Sequence, residues 1–161
     1  MLVMGKKIRI GDIVEIKTVK GLAYVQYTHE HTAPPKFGSL IRVLPGFHAE
    51  RPNNFVDIVK QKATFVVFVA LQHMVNENYV TVVDNQPVPP NAQVFPVFRS
   101  GIPDPKTRKV KVWWFWDGDK SWMVGSLTDE QKRMPIRSVI GDELLAKRIE
   151  SGWTPENDPR A

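Results

Sequence analysis

The chain has no cysteine, and that absence removes a disulfide framework, thiolate metal sites and cysteine nucleophiles together. Stability must come from packing. No apolar run approaches the roughly 20 residues of a bilayer-spanning helix. The longest, Ala63 to Leu71 with Thr64 inside it, reads as a buried strand. The ten glycines are scattered singly, so neither a P-loop nor a dinucleotide fingerprint can be assembled. Ser39, Ser100 and Ser126 neighbour glycines, yet none sits in a Gly-x-Ser-x-Gly elbow. The start, Met1 to Lys7, lacks the apolar stretch of about 7 to 15 residues that a secretory signal places after its basic end, which gives a cytoplasmic location as the expectation. With so many active-site signatures missing, the expectation is a protein that is not an enzyme.

What is present fits a globular domain. A chain of 161 residues suits one domain, 1–161, and 42% apolar with 24% charged residues is ordinary for one. Thirteen prolines cut its elements short. The net charge of +5 is uneven: residues 1–62 hold 10 Lys/Arg against 5 Asp/Glu, whereas 63–161 are balanced at 12 each. Such an excess favours an acidic partner, whether nucleic acid, lipid or protein.

Gly11-Asp12 opens a strand from Ile13 to Thr18, and Val19-Lys20-Gly21 turns it into a second, Leu22 to Thr28. A third strand, Ser39 to Leu44, follows the Pro34-Pro35 loop. Three antiparallel strands so joined are similar in spacing to the opening of an SH3-like barrel. Phe55, Ile58 and Val59 have helical spacing and predict a short turn before the strand Thr64 to Leu71. Tyr79 to Val83 predicts another strand, and the proline-rich Gln86 to Pro96 is a connection.

Four of the five tryptophans fall between Val112 and Val124, around Asp117-Gly118. That run reads as a hairpin. Trp114 and Trp116 point one way, Trp113 and Phe115 the other, so the strand is expected to be central and covered on both faces, with Trp114 and Trp116 both in the core. Thr128 and Gln131 have capping-box spacing for a helix ended by Met134-Pro135. A second helix begins near Asp142, buries Leu144, Leu145 and Ile149, and stops at Gly152, leaving a loose tail from about 155 to 161. The fold class is α+β: strands first, a central tryptophan-rich hairpin, and helices at the C-terminal end.

Two constellations carry chemistry. His29 and His31 lie two apart, facing one side if the preceding strand continues; a zinc site needs three or four ligands, with His48, Glu50 and His73 as additions, and the plainer reading is a polar strand end. Lys106, Arg108, Lys109 and Lys111 precede the tryptophans, as a groove for single-stranded nucleic acid would require; Asp104, Asp117 and Asp119 dilute that field, and paired aromatics of this kind more often form core. The two aspartates beside Gly118 read as turn residues.

Three stretches together resemble a family of bacterial immunity proteins found beside polymorphic toxin genes, immunity protein 26. They are Gly11-Asp12-Ile13-Val14-Glu15-Ile16 with Gly21-Leu22-Ala23-Tyr24-Val25-Gln26, then Pro96 to Gly101, then Trp113 through Gly118 to Ile149-Glu150-Ser151-Gly152-Trp153. The resemblance implies a non-enzymatic α+β protein that neutralises a cognate toxin by stoichiometric binding and uses no cofactor. An inhibitor of a basic nuclease would be expected to be acidic, so the positive charge points to a toxin with an acidic binding surface. Aromatics with arginine are the usual hot spots of an interface, which makes Tyr27, Phe37, Arg42, Phe47 and Arg51 the partner-binding candidates in the basic first part. A small basic nucleic-acid-binding domain is the alternative.

Overall fold

The computed structural model describes residues 6–160. Its main sheet comes from the alternating pattern. β1 (Asp12–Thr18), β2 (Gly21–His31), β3 (Gly38–Val43) and β4 (Phe65–Val69) form an antiparallel meander, with β5 (Thr81–Asn85) antiparallel beside β1 and β9 (Val139–Ile140) parallel to β4. Successive side chains face opposite sides, and here both sides are apolar, so both are covered. One face, with Val25, Ile41 and Val67, packs on α1 (Leu71–Asn76) and α3 (Asp142–Ser151), while the single-turn α2 (Pro90–Gln93) lies in the proline-rich connection. The other face holds two clusters. Ile13, Tyr24 and Leu44 lie with Phe55 and Val59, while Leu40 and Phe68 lie with Phe98 and Trp116.

A polar seam separates these clusters. On β3, Arg42 falls between Leu40 and Leu44 on the same face, paired in register with Gln26. Its Nε donates to Gln26 Oε1 at 2.9 Å and its Nη1 to the Gln61 carbonyl at 3.2 Å, and Nη2 donates to the Val59 carbonyl. Carbonyl dipoles satisfy this buried cation, and burial lowers its pKa.

A second sheet covers the Phe68 end. It consists of β6 (Phe98–Ser100), β7 (Trp113–Trp116) and β8 (Ser121–Gly125), with β7 in the middle. Asp117-Gly118 makes the turn: the Asp117 carboxylate accepts the Asp119 and Lys120 N–H groups at 2.9 and 2.7 Å, and these bonds hold its carboxyl below the usual range. Gly118 takes φ +101°, where a side chain is strained. The sheets meet through rings, Phe68 against Phe98 at 5.1 Å and His31 against Trp116 at 4.9 Å between centroids.

The result is one α+β domain, as the sequence implies, although the opening strands do not close into a barrel. β5 and β9 occupy the two edges of an open six-stranded sheet. Nor is the hairpin covered on both faces along its whole length. Trp113, Phe115 and Trp116 are buried, but Trp114 is 42% exposed, because cover from the main sheet reaches Phe98 and Trp116 and stops before the next pair, Ser100 and Trp114. Thr128 and Gln131 do make reciprocal capping bonds, at 3.2 and 2.9 Å. They cap only a single 3-10 turn, Gln131–Arg133, since the residue before a proline is driven out of the helical region.

α3 ends at Gly152 with φ +70°, in the left-handed region expected there. Leu145 and Ile149 are buried but Leu144 is exposed: adjacent residues lie too far apart around a helix to share one narrow stripe. The tail is not loose over its described part. Arg99 Nη2 donates to the Pro155 carbonyl at 2.6 Å, and the buried Asp158 accepts Trp153 Nε1 at 3.1 Å and Arg160 Nε at 2.8 Å. Burial pushes Asp158 up, but its bonds from Arg160 outweigh that and its pKa sits at about 2. Residues 1–5, which bear most of the N-terminal reading, and Ala161 lie outside the described residues. Among the described residues, no helix is long and apolar enough to cross a membrane.

Candidate functional site

The five partner-binding candidates do not share a surface. Tyr27 is buried and its hydroxyl donates to Glu30 Oε1 at 2.6 Å, and Arg42 lies in the polar seam. Phe37 is packed between the rings of Trp116 and Phe68, at 4.9 and 5.5 Å. Phe47 and Arg51 are presented to solvent at the other end of that face. Phe47 lies beneath Lys20 at 5.8 Å, and Arg51 Nε pairs with Glu15 at 2.7 Å. The Arg51 bond holds the Glu15 carboxyl below the usual range, against the opposing effect of burial. Charge and aromaticity located these residues in sequence, but strand alternation turned Tyr27 and Arg42 inward.

The histidine pair has local work. β2 does continue through His29 and His31, with a bulge between Tyr27 and His29. His29 Nδ1 lies 2.9 Å from Thr28 Oγ1 and its Nε2 lies 2.8 Å from the Gln93 carbonyl. His31 Nε2 lies 2.9 Å from the Gly118 carbonyl, and its Nδ1 accepts the Phe37 N–H at 3.4 Å. His31 thereby ties the main sheet to the hairpin turn. Among the described residues, no three His, Cys, Asp or Glu gather in a way that would hold a metal ion.

The basic run before the tryptophans forms one wall of a groove. Residues 101–112 leave β6 and fold back to β7, closed by a bridge between Pro103 and Val110. Asp104 fixes the bend: its carboxylate accepts the Thr107 and Lys106 N–H groups at 3.1 and 2.8 Å, which hold it below the usual carboxylate range. Lys111 Nζ is 3.8 Å from the same carboxylate. Between this loop and the sheet lies an open groove of about 790 Å³, lined by Ile102, Lys109, Lys111, Val112, Trp114 and Arg137 among others. Ile102 is 90% exposed. Arg137 closes the far side, its guanidinium over the rings of Phe37 and Trp116 at 5.2 and 5.3 Å. Burial lowers its pKa, and a guanidinium stays charged under such a shift. Among the described residues no carboxylate pairs with Arg137 or Lys109.

The groove is therefore an exposed indole and aliphatic surface with three cations on its rim and one acid already engaged in the loop. It can hold a ligand that offers both apolar surface and negative charge. Lys109, Lys111 and Trp114 stood out in the sequence as a basic run and an aromatic strand. Ile102 and Arg137 did not, because only the fold brings the loop and the segment before β9 to the same wall. Compared with protein-family models, curated proteins and solved structures, the chain matches none.

Proposed function

We propose that this chain is a non-enzymatic protein-binding module of the immunity type, which neutralises a cognate toxin by stoichiometric binding at the Trp114 groove. The observation that carries the reading is the groove itself. Tryptophan and arginine are the residue types that dominate interface energetics, and here one of each is presented beside exposed aliphatic side chains. The resemblance to immunity protein 26 adds the toxin; its three stretches fall on β1 with β2, on β6 and its approach, and from β7 to the end of α3. A nucleic-acid-binding domain is the competing reading, favoured by Lys109 and Lys111 beside an open indole.

A tagged pull-down from the native cell at moderate salt, run in parallel with the Trp114→Ala variant, separates the two. Mass spectrometry should find one protein at near-equal stoichiometry, lost with the variant, and the 260/280 nm absorbance ratio should be that of protein. Nucleic acid released by salt, with no dominant protein, would overturn the proposal.

A further inference from the structure

We infer that the groove selects an acidic protein segment carrying an apolar side chain, with Arg137 receiving a carboxylate and Trp114 the apolar group; the inference rests on the protein-binding reading above. Two independent observations point to this ligand. Arg137 carries a half-buried guanidinium held over two rings, at 5.2 and 5.3 Å from their centroids, and has no carboxylate of its own among the described residues. A guanidinium so held has lost its freedom before binding and presents a fork that matches a carboxylate. The second observation is the character of the floor and wall. Ile102 and Val112 are exposed aliphatic side chains flanking Trp114. Aliphatic surface rewards burial against an apolar side chain, whereas nucleic-acid grooves rely on successive aromatic platforms, and this groove has one.

Charge adds to both observations. Lys109, Lys111 and Arg137 line the groove with Asp104 as the one acid, and Asp104 is committed to the loop backbone. A segment with two or more carboxylates around an apolar residue complements this pattern. A second copy of the chain fits it less well, because the chain is itself basic at +5.

The test uses a synthetic Glu-rich peptide bearing one Phe, its Gln-for-Glu counterpart and an oligothymidylate, each titrated into the whole isotopically labelled chain and followed by NMR. The acidic peptide should shift the Trp114 indole and the Lys111 and Arg137 side-chain signals saturably, and lose affinity as salt rises. The Gln peptide should bind far more weakly. Trp114→Ala should weaken the acidic peptide about 30-fold, as truncation of a hot spot does. Lys109→Glu, at an exposed position, should weaken it without changing the melting temperature.

Equal or tighter binding of the oligothymidylate at these signals would overturn the inference in favour of a nucleic-acid groove. Shifts scattered elsewhere, or none, would also overturn it. The two proposals fail separately. A toxin captured equally by the wild type and by Trp114→Ala would leave protein binding standing and remove the groove as its site.

Discussion

Trp116 and Trp114 project from the same face of the same strand, two residues apart, and meet opposite environments. Trp116 is 4% exposed, inside a ring cluster with Phe37, Phe68 and Phe98, whereas Trp114 is 42% exposed in the wall of a groove. Identical chemistry at equivalent pleat positions thus serves the core at one site and lines an open groove at the other, where the proposed function would use it for recognition. The difference is made by what the neighbouring sheet covers. A cluster of large apolar residues in a strand predicts burial only as far as the opposing layer extends.

Truncation to alanine should separate the two tryptophans most clearly. Trp116→Ala should destabilise by roughly 3 to 5 kcal/mol, the cost of removing a buried large aromatic, read from chemical denaturation. An equal loss from Trp114→Ala would show that both tryptophans belong to the interior.

Arg99 lies on the opposite face of the second sheet, inside the fold. It is fully buried, lies 4.4 Å from the Trp113 ring centroid, and donates to the carbonyls of Met134, Lys132 and Pro155. Burial lowers its pKa to about 10. Arg99→Ala should cost about 3 kcal/mol, because it strands three carbonyls and removes the tail's anchor. Faster proteolysis at the C-terminal end should accompany the loss. Arg137 also lies over aromatic rings but lines the groove, so on the proposed binding mode Arg137→Gln should reduce peptide binding more than it reduces stability.

Acid gives the next effect. Asp158 titrates at about 2 in the fold against an ordinary value of 3.8, so it contributes stability above 3.8 that is lost as pH falls through about 2. The sign arises because the unfolded chain binds the proton more readily over that interval. The contribution is about 2 kcal/mol, and Asp158→Asn should abolish that part of the acid dependence in melts between these pH values. The smallest stability change belongs to Trp114→Ala, about 1 kcal/mol, since much of the ring is already in water. Its effect should appear in binding instead.

Much of the fold is legible in the sequence because its signals are local. Gly11-Asp12, Gly21 and Asp117-Gly118 mark turns whose backbone needs those residues, and the apolar runs between them became β1, β2, β4 and β7 with small shifts at the ends. The capping pair Thr128 and Gln131 formed as the spacing implies, but spacing does not report how far a helix continues when Pro135 lies just beyond. The groove was legible only on one side. The basic run and Trp114 are contiguous in the chain, whereas Arg137 reaches them from the segment before β9 and Ile102 from the loop after β6.

Local chemistry is enough to specify the class of the fold, its main turns, the helix that ends at Gly152, and the absence of cysteine chemistry. These are properties of a residue and its near neighbours, fixed by backbone sterics, hydrogen-bonding side chains and the periodicity of apolar groups. Long-range packing is what leaves the sheet open, turns Arg42 and Tyr27 inward while Trp114 stays accessible, and docks the tail on Arg99. Those outcomes depend on which layer lies over which strand and where it stops. That is set by packing between residues distant in the chain.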